Sequence, residues 1–182
     1  GKSPFIVFDD ADLYSAVNAQ VSGIFAATGQ SCVAGSRLLV QGTVKDAFLA
    51  RLTSKADAIV IGASDQMTTE IGPLCTARQR DRIVDLIARS VAAGAKVVTG
   101  GTVPDGAGFY FPPTILDCSD APDAPCLREE FFGPVLSVVS FETEEQALAL
   151  ANDTAFGLAS GMFTRSLTRA HRMIRGIRAG IV

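Results

Sequence analysis

The run Ile83-Val84-Asp85-Leu86-Ile87-Ala88-Arg89-Ser90-Val91-Ala92-Ala93-Gly94-Ala95-Lys96-Val97-Val98-Thr99 contains a helix, its stop and a strand. Ile83, Ile87 and Val91 recur every four residues, which predicts a helix with one apolar face. Gly94 stands where a left-handed helix terminus is wanted, and Lys96 to Thr99 is a short β-prone run. The same alternation continues outward in both directions. Phe5 to Phe8, Arg37 to Gln41, Val135 to Phe141 and Ser160 to Thr164 are predicted strands. Leu13 to Ala27 is a predicted helix, and Thr143 with Gln146 forms a capping-box pattern ahead of Ala147, Leu148 and Ala151, so a further helix is expected from about residue 143. Ser166 to Arg178 is predicted as another, with Gly176 weakening its end. Short apolar runs alternating with longer helical patterns predict an α/β fold of three layers, α/β/α, around a mostly parallel sheet. Gly100 to Pro125 carries Gly, Pro and Asp clusters around an apolar island, Phe109 to Phe111, and is expected to be a long surface excursion.

Composition bounds the function. The chain has 182 residues, 48% of them hydrophobic, enough to bury roughly two thirds of the unfolded surface in one core. Residues 1–182 are therefore expected to form one domain. The net charge of -3 and a pI near 5.1 argue against a nucleic-acid partner, which needs Lys and Arg concentrated on one face. The basic stretch Arg165 to Arg178 is spread around a helix and reads as a solvated surface. No run of ~18 apolar residues spans a bilayer, and no signal-peptide pattern is present. The four cysteines, Cys32, Cys75, Cys118 and Cys126, show no paired short spacing, and with one histidine they make no zinc site. Free thiols in a reducing cytoplasm are the expectation. Both ends look cut, since Gly1 begins beside a strand and Ile181-Val182 reads as a strand just starting.

Cys32 is the candidate for chemistry. It lies in Thr28-Gly29-Gln30-Ser31-Cys32-Val33-Ala34-Gly35-Ser36-Arg37, between a helix and a strand. Small neighbours let the backbone turn tightly and a substrate approach the sulfur. A thiolate attacks a carbonyl carbon well, and nearby N–H groups would hold the resulting oxyanion. From the residues alone, a buried, inert thiol, which is what most unpaired cysteines are, is the favoured reading.

This stretch resembles the active-site signature of the aldehyde dehydrogenase superfamily, Gly-Gln-x-Cys followed by x-Ala-Gly-Ser-Arg, with Cys32 at the nucleophile. Gly1-Lys2-Ser3-Pro4 resembles the tail of that family's Glu-Leu-Gly-Gly-Lys-Ser-Pro motif. Glu129-Glu130-Phe131-Phe132-Gly133-Pro134-Val135 resembles its Glu-Glu-x-Phe-Gly-Pro-Val motif, and Ala179-Gly180-Ile181-Val182 a strand near its substrate pocket. The resemblance implies the family's catalytic-domain fold and oxidation of an aldehyde to a carboxylic acid with NAD or NADP. Cys32 would form a thiohemiacetal and then a thioester that water hydrolyses. Glu130 would hydrogen-bond the nicotinamide ribose hydroxyls, Phe132 would pack near the nicotinamide, and Gln79 falls near a position that contacts the cofactor in relatives. Read without the resemblance, Glu130 is a solvated loop carboxylate, Phe132 a core aromatic and Gln79 an ordinary residue of an exposed helix face.

Departures from the family pattern set further expectations. The family's general base opens the Glu-Leu-Gly-Gly-Lys motif, and this chain starts just past it. The oxyanion asparagine and the nucleotide-binding half lie further upstream in the family, and no G-x-G-x-x-G or P-loop pattern occurs here. The expected partners are therefore an aldehyde substrate, the nucleotide-binding half of the same parent chain, and further copies in a homo-oligomer of the full-length enzyme. The chain alone is expected to be inactive, a non-catalytic α/β module. An acylating relative that passes the thioester to coenzyme A is the alternative within enzymes. A cysteine hydrolase pairing Cys32 with His171 is a remote one, because His171 sits among Arg169, Arg172 and Arg175 and nothing near Cys32 resembles a protease signature.

Overall fold

Strand β1 spans Pro4–Val7 and is buried on both sides. Phe5 and Val7 enter one apolar cluster, and Ile6 with the following Phe8 enters another. The same period-two split divides Leu38 and Val40 from Leu39 in β2, Arg37–Gln41. Strands apolar on both faces need helices on both faces, which is the physical reason for three layers. The computed structural model describes all residues from Gly1 to Val182. It contains, in chain order, β1, α1 (Leu13–Phe25), β2, α2 (Gly42–Asp57), α3 (Ala77–Ala92), β3 (Lys96–Thr99), β4 (Thr114–Asp117), β5 (Val135–Phe141), α4 (Glu144–Asn152), β6 (Gly161–Phe163) and α5 (Leu167–Gly176). Short 3-10 turns occupy Ala26–Gly29 and Pro125–Leu127.

The six strands form one sheet in the order β3-β4-β5-β2-β1-β6. All neighbours are parallel except β3 and β4. Register places Pro4 opposite Arg37, Arg37 opposite Ser137, and Phe5 opposite Gly161. One face is covered by α1 and α2 through Val17, Ile24, Phe48 and Leu52. The other carries α3 through Ile83, Leu86 and Ile87, with α4 and α5 through Ala147, Ala151 and Met173. Each fully buried large aliphatic adds roughly 1.5–3 kcal/mol by burial.

Helix starts follow local chemistry. Asp12, Thr76, Thr143 and Ser166 each accept a hydrogen bond from the backbone N–H three residues on, at about 1 kcal/mol per cap. Gln146 completes its box one residue early, accepting from Glu142 N–H at 2.8 Å. Gly94, at φ 102, ends α3 as expected.

Several expectations need correction. The stretch from Gly100 to Pro125 is not a surface excursion throughout, because β4 lies inside it, inserted between β3 and β5 with Thr114, Ile115 and Leu116 buried. Pro112 and Pro113 precede that strand and masked it as loop. Val91 is 43% exposed, so the inner face of α3 is Ile83, Leu86, Ile87 and Ser90. That is the wider stripe a 3.6-residue period requires. Helix α2 was not foreseen. Its start at Gly42 has no side-chain cap, although Phe48, Leu52 and Ala56 recur every four residues. Arg165, Arg172, Arg175 and Arg178 are exposed, in keeping with a solvated surface, whereas Arg169 is partly buried against Asp10; Arg165 also meets Asp12 and Arg172 meets Glu144. Ile181 does form a parallel bridge, with Ala159. No helix is long and apolar enough to cross a membrane.

Candidate active site

Parallel strands all begin at one edge of a sheet, so the loops that precede them meet there however far apart they lie in sequence. Here that amino edge gathers Gly1 to Ser3 before β1, Gly29 to Ser36 before β2, Glu129 to Pro134 before β5, and Ala159 to Ser160 before β6. The loops touch. A Cβ on Gly1 would stand 2.5 Å from the Cys32 carbonyl oxygen, and one on Gly29 would overlap the Gly133 carbonyl. Arg37 N–H donates to Ser3 O at 3.2 Å, and Ser137 N–H to Ser36 O at 3.0 Å. Cys32 and Glu130, distant in sequence, therefore flank the same residue, because the Glu130 carboxylate also lies against the Gly1 nitrogen.

The Cys32 loop is held in a costly backbone form. Helix α1 stops at Phe25, and then Ala27, Thr28 and Gly29 follow at φ 51, 57 and 66. Left-handed backbone costs a non-glycine residue roughly 1–2 kcal/mol, so two residues are strained together. Anchors offset this. Thr28 Oγ1 donates to Gly72 O at 3.2 Å, Gln30 Oε1 accepts from Cys75 N–H at 3.0 Å, and Gln20 Nε2 donates to Gly35 O at 2.8 Å. The Cys32 thiol is exposed and not buried in this chain. Strain maintained by neighbours just ahead of an exposed thiol is the pattern of a functional site.

Glu130 is half-buried and Phe132 is 38% exposed. Phe132 is thus no core aromatic; its neighbour Phe131 is the one in the core. Phe132 also has φ 51, a third non-glycine residue in the left-handed region. The loop is tied to α3. Gln79 Nε2 donates to Phe131 O, and to Phe132 O at 3.0 Å. Arg82 Nη2 donates to Glu130 O at 3.1 Å, and Arg89 grips Glu129 with two bonds at 2.7 and 2.9 Å. Gln79 stands third in α3 behind its Thr76 cap, where the capping box would turn its side chain back to Thr76 N–H. It reaches outward to the Phe131 and Phe132 carbonyls instead. The local rule is broken in favour of a tertiary contact, and Thr76 with Gln79 was a signal available in the sequence.

Two buried cations at this edge were not foreseen as structural elements. The Arg37 guanidinium donates to Lys2 O at 2.8 Å, Leu150 O at 2.9 Å and Ala151 O at 2.8 Å. It ties β1 to β2 and caps the last turn of α4, whose terminal carbonyls favour a cation. Burial lowers its pKa to about 10. Lys2 is buried over the Phe131 ring, 5.4 Å from its centre. Its ammonium finds no hydrogen-bond partner, and burial lowers its pKa to about 7.

A cleft of about 380 Å³ opens beside Cys32, lined by small residues including Ser22, Ala26, Ser31, Val33 and Ser160. His171 is exposed on α5, and no hydrogen bond or ion pair joins it to the Cys32 loop. Cys32, Glu130, Phe132 and Gln79 are thus brought to one edge, and His171 is not. What the edge offers is an exposed thiol, a cleft, and a carboxylate with an aromatic ring on a strained loop.

Comparison with known proteins agrees along the whole chain. The model of the aldehyde dehydrogenase family matches residues 1–182. A (Z)-2-((N-methylformamido)methylene)-5-hydroxybutyrolactone dehydrogenase of Acinetobacter baylyi is 61% identical over 182 residues, 100% of this chain and 37% of the relative. A betaine aldehyde dehydrogenase of Sinorhizobium fredii is 47% identical, over 99% of this chain and 37% of its own. The crystal structure of betaine aldehyde dehydrogenase from Staphylococcus aureus in complex with NAD+ superposes with a TM-score of 0.96 at 38% identity, covering 100% of this chain and 37% of that one. Lactaldehyde dehydrogenase from Escherichia coli gives 0.95 at 39%, over 100% of this chain and 38% of its own. The chain spans about 37% of the length of the curated relatives it matches. Shared along every residue with the family's model, the order of motifs, the fold and the Cys32 loop all say that this chain belongs to the aldehyde dehydrogenase family.

Proposed function

We propose that this chain is the thiol-bearing part of an enzyme that oxidises an aldehyde to a carboxylic acid with NAD or NADP, and that Cys32 is its nucleophile. The observation that carries the reading is the meeting of the exposed Cys32 and the half-buried Glu130 around Gly1. The Cys32 thiolate adds to the aldehyde carbon, forming a C–S bond and moving the carbonyl π pair onto oxygen as a thiohemiacetal. When bound, the nicotinamide supplies the acceptor for the hydride lost from that carbon, leaving a thioester on Cys32. Water then displaces the sulfur, giving the acid.

The residues present fit such a cofactor. The Glu130 carboxylate lies beside Gly1, on the Cys32 side of its loop, and a carboxylate suits a pair of ribose hydroxyls. Phe132 presents an exposed ring on the same loop. Gln79 acts as a positioning residue, holding both carbonyls of that loop. The relative from Acinetobacter is named for a hydroxylated butyrolactone, which favours a small oxygenated substrate, in keeping with a cleft lined by Ser22, Ser31 and Ser160.

Because the chain spans about 37% of its relatives, the rest of the parent supplies the nucleotide-binding half and the base for deacylation. The 182 residues alone then give no turnover, since misplacing reacting groups by even ~1 Å costs on the order of a hundredfold. The test compares this chain, the full-length protein and its Cys32→Ala variant for reduced nicotinamide formation on a panel of small aldehydes. Activity only in the unmodified full-length protein is expected. An active Cys32→Ala variant overturns the nucleophile assignment, and turnover by the short chain overturns the division of labour.

A further inference from the structure

Cys118 and Cys126 show no short spacing, yet their sulfurs lie 3.3 Å apart in the core under α3. Cys118 continues the edge of β4, donating its N–H to Val138 O at 2.8 Å. Cys126 is clamped from both sides, its N–H on Ser90 Oγ of α3 at 3.1 Å and its carbonyl accepting from Ser137 Oγ of β5 at 3.1 Å. Each sulfur is therefore fixed by backbone contacts within reach of the other. Cys118 is nonetheless approachable, because it lines a cleft of about 140 Å³ whose walls include Arg37, Asp123, Arg128 and Asp153. A molecule of liquid water occupies roughly 30 Å³, so a small peroxide fits.

From this geometry we propose that Cys118 and Cys126 form a reversible dithiol/disulfide site, oxidised by a small hydroperoxide that enters through this cleft.

The surroundings supply the reactivity. One S–H of the pair donates to the other sulfur, and either can be the donor. That bond, with the buried Lys2 ammonium nearby, lowers the Cys126 thiol to about 6; Cys118, the donor in that arrangement, is pushed up. In the reverse arrangement Cys126 is the donor and the charge sits on Cys118. The Cys118 thiolate attacks the terminal peroxide oxygen. An S–O bond forms, the O–O bond breaks, and the departing alkoxide takes a proton and leaves as an alcohol, or as water from hydrogen peroxide. The Cys126 thiolate then attacks the sulfenic sulfur of Cys118, forming the S–S bond, and the hydroxide released takes a proton to leave as water. Two thiols and one hydroperoxide give one disulfide, one alcohol and one water, the sulfurs losing two electrons and the O–O bond gaining them. Reduction needs a dithiol.

Bonding draws the sulfurs from 3.3 Å to about 2 Å. Cys126 lies in the turn Pro125–Leu127, which leads directly into Glu129 to Phe132. The turn also carries Leu127 N–H on Ala124 O and Glu129 N–H on Pro125 O. Oxidation therefore reaches the loop that holds Glu130, whatever that loop binds.

Trypsin leaves both cysteines in one peptide, Val97 to Arg128. The folded full-length protein is treated with hydrogen peroxide, denatured, alkylated and digested. The expected peptide is about 2 Da lighter than its dithiol form, carries no alkyl group, and regains two on prior dithiothreitol treatment. Hydrogen exchange at residues 127–133 is expected to differ severalfold between the two forms. Two alkylated thiols after a peroxide dose that has consumed Cys32, or separate sulfinic acids at either position, would overturn the site. A disulfide that leaves exchange at 127–133 unchanged would overturn its link to the loop. Both readouts use the unsubstituted protein, so folding of a variant does not enter.

Discussion

Replacing Gln79 by Ala removes the two N–H donors that hold the Phe131 and Phe132 carbonyls. At about 1 kcal/mol net per bond, some 2 kcal/mol of anchoring is lost. Against it stands the left-handed backbone of Phe132 at φ 51, a strain of roughly 1–2 kcal/mol. The two terms are of one size, so without Gln79 the loop loses the surplus that keeps Phe132 in place. The peptide planes around Phe132 then rotate, carrying the ring and the Glu130 side chain with them. Global stability is expected to fall by only ~1 kcal/mol, because released strain offsets part of the loss. Cofactor binding is expected to suffer more, with the NAD dissociation constant rising about tenfold, or ~1.4 kcal/mol. Calorimetric titration of the full-length protein with NAD measures this. Phe132→Gly supplies the control for mechanism, since glycine adopts positive φ without strain. In that background Gln79→Ala should cost less affinity than it does alone, with a coupling of at least ~0.5 kcal/mol in the double-mutant cycle. Affinity within twofold of the parent in Gln79→Ala, or strictly additive effects in the cycle, would refute the strain argument.

Substoichiometric iodoacetamide should label Cys32 before Cys118 and Cys126, which are buried, and before Cys75, which is also exposed but lacks a strained, anchored loop; peptide mapping that finds Cys75 labelled first counts against the nucleophile. Arg37→Lys keeps the charge but not the fork, so about two of the three carbonyls on Lys2, Leu150 and Ala151 lose a charged donor, and urea titration should show a loss of ~3 kcal/mol or more. A loss below ~1 kcal/mol would mean that the guanidinium is dispensable. Lys2 is a base whose folded pKa is depressed to about 7 from 10.5, so between those values the unfolded chain binds a proton that the folded one lacks. Stability of the unsubstituted protein relative to Lys2→Met should therefore rise with pH across that window, and a difference that stays flat or falls with pH would contradict the burial of the ammonium.

Much of the fold was legible because both sheet faces are buried and most helices carry side-chain caps. Arg37–Gln41, Lys96–Thr99 and Val135–Phe141 appear with the bounds that their β-branched and apolar runs predict. What was missed has identifiable causes. Strand β4 follows two prolines, and its pairing with β5 is a tertiary fact that overrides the local turn signal. Helix α2 begins on Gly42 without a cap. At the site, Cys32, Glu130 and Phe132 came from motif resemblance, whereas their convergence around Gly1 was not readable from spacing. Nor was the contact of Cys118 with Cys126, because it depends on how the chain from β4 to the Pro125–Leu127 turn folds back under α3. Gln79 was weakly marked. The Thr76–Gln79 pair matched a capping box, and only the structure shows the amide turned away from it.

The position of the site at the amino edge carries its own consequence. Open parallel sheets usually bind ligands beyond the carboxyl ends of their strands, where helix N-termini point at the ligand. At the opposite edge the helices that return from parallel strands end, and they present carbonyls. Helix α4 does so here, and the Arg37 cation satisfies its last turn. A thiolate at such an edge would face the wrong end of every dipole. The antiparallel β3 changes this locally. Because β3 runs backward, the helix before it runs forward, and α3 opens at the amino edge with Thr76 and Gln79 in its first turn. Cys75 N–H, just ahead of that turn, bonds Gln30 of the Cys32 loop, and Gln79 bonds the Glu130 loop. One reversed strand thus brings a positive helix end against both loops that carry the candidate chemistry, and it explains why the contacts of α3 gather there.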